Sequence, residues 1–427
     1  MPSYALRMTK TPTKHPATLP GKYQQRFIVG IGFFVLALAF SARATLGLVM
    51  PVWQSELGWS RSFVSGAGAC ALIVMAIVAP FAGGLVDRRG PRFTLSLGLV
   101  LLSIGCAIIS TTHNAVLFVI AFSGISAIGF GILATHVVST AIARTFEHNR
   151  GLATGIATSG ATGGQFLIVP LLASLLAVAS WRWSFAGIAL ASAMLIPCIL
   201  WLMPKAQAIK VDHHETVRNA HSFSSDIKLI VGKPAFHVLF WSFLLCGFTT
   251  TGVIETHFLA YASFCGFPPV SSAMAYGLLC AVNMLGMIGA GWLTDRFNRA
   301  VLLAAIYLIR GATFLILSSV GSSIENLFLF AAVFGMVDYA TVPVTASLVA
   351  SHVGLRVMGL AMGLISAGHS IGAAFGAYLG GYIFDRFGSY SGIWAMSLWL
   401  AILAGILALL LLKQAPLRPG PVAPEFA

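Results

Sequence analysis

Charge is what this chain has least of. Only 9% of its 427 residues are Asp, Glu, Lys or Arg, and the acids number 12 against 25 bases. A soluble domain carries about 25% charged residues, so a string of soluble domains is excluded. With 58% hydrophobic residues and a mean hydropathy of +0.90, lipid is the solvent for most of the chain. Other absences narrow the choice. The short alternating segments of a lipid-facing barrel are missing; Leu398 to Leu412 is apolar on every side, which leaves helix. The six cysteines, at 70, 106, 198, 246, 265 and 280, form no CxxC pair and read as small core residues rather than a disulfide framework or metal site. The GxxxxGK[ST] phosphate loop is absent, since Gly21-Lys22 and Gly232-Lys233 lack its other residues, so an ATP-driven pump would need a separate ATPase subunit. No cofactor motif is present. No cleavable leader is expected, because the first 26 residues are polar and basic and the first apolar run is long enough to span.

What is there is a series of long apolar runs. Each bilayer crossing needs about 20 residues of helix, and the runs number twelve: 27–50, 63–86, 93–111, 115–143, 151–177 and 183–203, then 236–262, 270–292, 300–320, 326–350, 357–384 and 390–412. These are spans one to twelve. Of the 25 basic residues, 20 fall in the tails and in the loops on their side, three (Arg61, Arg182, Arg386) in the opposite loops, and two (Arg43, Arg310) inside spans. Positive loops stay cytoplasmic, so both termini are expected inside, on the inner membrane of a cell. The net charge of +13 then reports topology. It is no nucleic-acid footprint, and no nucleic-acid-binding motif accompanies it.

The chain also repeats itself. Gly83-Gly84-Leu85-Val86-Asp87-Arg88 after span two returns as Gly291-Trp292-Leu293-Thr294-Asp295-Arg296 after span eight, an offset of 208. The same offset relates Gly151-Leu152-Ala153-Thr154-Gly155 to Gly359-Leu360-Ala361-Met362-Gly363. Two matches at one offset define two parallel six-helix halves. The expected domains are a tail 1–26, a bundle 27–203, a polar linker 204–235, a bundle 236–412 and a tail 413–427, in an all-α integral membrane protein of twelve transmembrane helices.

The Gly-x-Leu-x-Asp-Arg loop and its repeat resemble the signature of the major facilitator superfamily, and the resemblance covers almost the full length. The first copy has Pro91 where a basic residue is usual; the second has Asn298 for the Gly. Within that superfamily, Leu57-Gly58-Trp59-Ser60-Arg61, Arg150-Gly151-Leu152-Ala153, Ser180-Trp181-Arg182 and Asp385-Arg386-Phe387-Gly388 resemble bacterial relatives of the monocarboxylate and oxalate/formate porters. The resemblance implies a secondary transporter in which spans one, four, seven and ten line a central cavity. Proton-linked monocarboxylate carriers place an Asp and an Arg one turn apart in span eight; the alignment puts Asn283 and Met287 there. That proton site is absent, and either the coupling residue or the coupling itself differs.

Ionisable residues inside a span are costly and mark function by default. Here they are Arg43, His136, Glu255, His257, Arg310, Asp338 and His369, and five of the seven lie on spans one, four, seven and ten. Arg43 lies about 16 residues into its span, roughly 24 Å deep at 1.5 Å per residue, and its permanent charge and forked donors suit a carboxylate; the plain alternative is a snorkelling Arg near the outer end. A carboxylate out of water is easier to protonate, which makes Asp338, near mid-membrane, and Glu255, nearer the outer end, the candidate proton carriers. A fixed ion pair of Asp338 with Arg310 is the competing reading, and Arg310 is taken as structural. His136, His257, Gln165, Asn283 and Tyr339 are candidate substrate contacts, with Thr249, Thr250 and Thr251 as further neutral donors. Asp87, Arg88 and Arg92, with Asp295 and Arg296, are expected to gate by holding helix N-termini and neighbouring arginines. The glycines around 151–164 and 372–380 permit close helix approach.

The expectation is a monomeric transporter working by alternating access. Its partners are a small organic solute, a carboxylate anion first, a coupled proton and the bilayer. A neutral or aromatic metabolite, such as the vitamin riboflavin, or an exported drug is the alternative substrate. Gly368-His369-Ser370-Ile371-Gly372 fits the GxSxG of hydrolases but lacks the strand-turn-helix context, and a transporter-like sensor would lack a signalling domain.

Overall fold

The computed structural model describes residues 22–203 and 223–416. The expected tails 1–26 and 413–427 and the linker 204–235 fall largely outside the described residues, apart from a short linker helix, Phe223–Val231.

Apolar residues in long uncharged runs fold as helix because only helix satisfies every backbone group in lipid. Spans one, six, eight and nine are the continuous helices Lys22–Glu56, Trp181–Leu202, Pro269–Thr294 and Arg299–Ser318. Spans eleven and twelve are Met358–Phe387 and Ser391–Leu409. Spans four, five, seven and ten cover Ala115–Thr145, Arg150–Leu176, Pro234–Phe264 and Ile324–His352 with local breaks. Spans two and three, expected as two helices joined by a loop, are instead one run, Arg61–Thr111, interrupted at a single residue. Gly90 there takes φ 79°, ψ 167°, a backbone open to glycine alone, and Pro91 starts the next helix where its missing N–H costs nothing. Split at Gly90, the described residues hold twelve crossings. The repeat of this turn uses another device: Asn298 accepts from the N–H groups of Ala300 (3.0 Å) and Val301 (3.3 Å) as the N-cap of span nine.

The helices form two bundles. One hydrophobic core is drawn from residues between Ile28 and Met203, and two others come almost wholly from the second half. The bundles meet where the loops richest in Arg and Lys lie, here called the basic face. There the backbones touch at two glycine pairs. A methyl group on Gly83 would stand 2.0 Å from the Gly359 carbonyl oxygen, and one on Gly291 would stand 2.3 Å from that of Gly151. An offset of 208 carries Gly83 to Gly291 and Gly151 to Gly359, so the two contacts are copies of one another.

Candidate functional site

Span ten stops being helical at Val337 and resumes at Thr341. Pro343 is a local cause, since it offers no N–H to the Tyr339 carbonyl and its ring crowds that turn. The break frees backbone carbonyls in mid-membrane, and Arg310 of span nine takes them up. Its buried guanidinium donates to the carbonyls of Val337 (2.7 Å) and Asp338, and to Cys246 Sγ at 2.8 Å. Among the described residues Arg310 forms no ion pair with the Asp338 carboxylate. That carboxylate is held by Asn283, whose Nδ2 donates to Oδ2 at 2.9 Å, while Asn283 Oδ1 accepts the Tyr339 N–H at 3.2 Å. The Tyr339 hydroxyl then donates to Glu255 Oε1 at 2.8 Å. Both candidate acids thus belong to one chain of hydrogen bonds, and Asp338 Oδ1 is left buried without a partner among the described residues.

This chain borders a cavity of about 690 Å³ between the two halves. Arg43, His136, Asp338, Tyr339 and His369 line it with Thr250 and Thr251. Its walls of spans two and eleven run over residues 69–79 and 366–377. Leu72, Ile73 and Ile77 line it and are 48–61% exposed, so the cavity is not fully enclosed. Arg43 packs its guanidinium 4.7 Å from the Phe40 ring centroid and makes no ion pair among the described residues. A guanidinium packed against an aromatic ring can still offer its forked donors to a carboxylate. His136 is 1% exposed, and its Nε2 has no partner among the described residues. His369 lies 3.5 Å from the Thr250 hydroxyl and against Phe243.

Other candidates lie elsewhere. Asn283 and Glu255 stand one hydrogen bond behind the cavity wall. His257 donates to the Ala377 carbonyl at 2.9 Å under Gly380 and pins span seven to span eleven. Gln165 is half-buried on span five and does not line the cavity. Cys246, read from sequence as core filling, lines the cavity and accepts from Arg310. Only its position four residues before Thr250 ties it to the polar run of span seven, so the sequence offered little signal for it.

On the basic face the two repeated acids close the molecule. Asp87 accepts the N–H groups of Gly359 (2.9 Å) and Leu360 (2.7 Å), and Asp295 accepts those of Gly151 (2.8 Å) and Leu152 (2.9 Å). Each carboxylate caps the first turn of a helix in the opposite bundle, where anions are favoured. The cation at Asp87 is Arg144 rather than the expected Arg88. Arg144 also donates across the interface to the Leu355 (3.1 Å) and Arg356 (3.2 Å) carbonyls. Adjacent helical residues point about 100° apart, so Arg88 turns from Asp87 and lies over the Phe223 ring, as Arg296 lies over Trp292. Arg92 is half-buried on the same turn. No signal in the repeat marks Arg144, because His352 stands at the position 208 residues on.

A broken-helix cavity between two repeated six-helix bundles is an architecture found in secondary transporters. The family model of the Major Facilitator Superfamily matches residues 32–359 and 290–427, and the chain belongs to that family. It is therefore a multi-pass membrane transporter of small molecules and not an enzyme. It is 26% identical over 339 residues to the uncharacterized MFS-type transporter YcxA of Bacillus subtilis (strain 168), covering 77% of this chain and 80% of that one. It is 23% identical over 329 residues to monocarboxylate transporter 13 of Rattus norvegicus, covering 77% and 74%. Among solved structures it resembles the proton:xylose symporter XylE (TM-score 0.72, 16% identity, 92% of this chain and 96% of that one). It resembles the human organic anion transporter MFSD10 equally well (TM-score 0.72, 16% identity, 90% and 99%). At these identities the structures speak for the fold alone.

Proposed function

We propose that the chain carries a small carboxylate anion together with a proton across the cytoplasmic membrane by alternating access, with its tails and basic loops inside. The observation that carries this reading is Arg43, a cavity-lining guanidinium that forms no ion pair among the described residues. Similarity to a monocarboxylate transporter supports the same substrate class. Asp338 supplies the coupling. An ionised Asp338 at the cavity wall repels an incoming carboxylate across a low-dielectric space, and taking up a proton removes that repulsion. Anion and proton therefore bind together from the open side. The Asp338 carboxylate stands against Asn283, the span-eight position at which the related carriers have their own Asp, so the acid sits on the facing helix. Glu255, joined through Tyr339, is the alternate proton holder. In proteoliposomes with an inward proton gradient, anion uptake should be lost in Arg43→Ala, and a variant that still accumulates anion removes Arg43 from the site.

A further inference from the structure

We infer that the carboxylate transported through this cavity is a monoacid with a bulky apolar body, of the aryl- or branched-alkanoic kind, rather than a two- or three-carbon acid or a diacid. The inference rests on the carboxylate reading above.

Charge limits the ligand to one carboxylate. Among the described residues that line the cavity, Arg43 is the one permanent cation. Arg310 is close by but is not among the lining residues, and its two terminal nitrogens are turned to two backbone carbonyls and a thiol. A second carboxylate would find no further permanent cation among the described lining residues. Size and lining then set the rest of the ligand. About 690 Å³ equals the liquid volume of about 23 waters, and pockets of this size enclose ligands well beyond a few heavy atoms. Besides the polar groups already named, the hydroxyl residues Thr135, Thr256, Thr341, Ser366 and Ser370 line it. Most of the wall is nevertheless apolar, with Phe40, Leu72, Met75, Phe130 and Phe243 among its largest side chains. Phe40, which packs against the Arg43 guanidinium, is itself a lining residue, so an aromatic surface stands beside the group that would hold the carboxylate. An acid of three carbons leaves these walls wet, whereas a ring buries them, and each added methylene buried is worth about fourfold in affinity.

The test is thermal stabilisation of the full-length protein in detergent by 3-phenylpropionate, propionate, succinate and the neutral 3-phenylpropionamide, followed by competition with transport in proteoliposomes. The expected result is stabilisation by 3-phenylpropionate at concentrations at least about a hundredfold below those needed for propionate, with no response to succinate or to the amide. Ala374→Trp, at an exposed cavity-lining position on span eleven, should weaken 3-phenylpropionate while leaving the weak response to propionate. Equal potency of propionate and 3-phenylpropionate, or a strong response to succinate, overturns the inference and leaves the carboxylate reading standing. Equal binding of amide and acid overturns the carboxylate reading itself, as does silence from every acid in a preparation that stays folded and monodisperse.

Discussion

Arg310 and Asp338 show how neighbouring charges in lipid can have different tasks. Arg310 is wholly buried and bonded to main-chain carbonyls, so its work is to keep the broken middle of span ten from standing unsatisfied. Truncation removes several charge-assisted hydrogen bonds at once and leaves their acceptors buried. Arg310→Ala should therefore cost about 3 kcal/mol or more and show as a lowered melting temperature in detergent. An unchanged melting temperature would mean that water replaces the guanidinium. Asp338 has one oxygen tied to Asn283 and the other free. Asp338→Asn keeps the shape and removes the titrating group. It should retain anion exchange, lose accumulation driven by a pH gradient, and lose the pH dependence of uptake. Full accumulation in Asp338→Asn, with loss in Glu255→Gln, would move the proton to Glu255. The sequence made both acids visible as rare intramembrane charges. Their joining through Tyr339 and Asn283 was not visible, because it depends on side chains up to 84 residues apart meeting across three spans.

At the scale of elements, the regular helices were legible and their interruptions were not. Long uncharged runs announce spans, since nothing else is stable in lipid. The π-helical turn at Ile120–Ser126 falls inside a run whose composition differs little from its neighbours, whereas the one at Phe248–Glu255 and the break at Asp338 to Ala340 hold polar residues that mark a site without announcing a change of backbone. The turn at Gly90 was marked by the charged stretch 87–92, but its form was not, because one residue with positive φ is enough to reverse the chain where a loop was expected. The glycine pairs give a prediction of their own. A side chain on Gly83 meets a backbone oxygen that cannot move without shifting all of span eleven. Gly83→Leu should hold the basic face open. Hydrogen exchange should then rise at Gly359 and Leu360, and equally at Gly151 and Leu152, whose amides bond to the distant Asp295. Faster exchange at the first pair alone would show that the two latches open separately.

For the whole molecule, the repeat makes the closure of the basic face a paired event, since each half contributes one acid, one capped helix and one member of each glycine pair. The pairing is imperfect: Arg144 strengthens the Asp87 latch, whereas His352, 208 residues on, bonds locally to Leu348. Sidedness can be checked directly. In intact cells without native cysteines, a membrane-impermeant maleimide should label Ser322→Cys, on the face away from the basic loops, and spare His148→Cys on the basic face; the reverse pattern would invert the proposed orientation. By itself the sequence determined that the chain lies in lipid, that it crosses twelve times as two copies of one plan, and which few charges are anomalous, because burying charge and unpaired backbone in hydrocarbon is too costly to leave unmarked. Only the tertiary structure decided which of those charges meet: Arg310 on carbonyls rather than on a carboxylate, Arg144 rather than Arg88 at Asp87, Arg43 facing an open cavity. Such partners are set by helix rotation and packing, where a shift of one residue turns a side chain by about 100°, and hydropathy along a single chain carries no record of it.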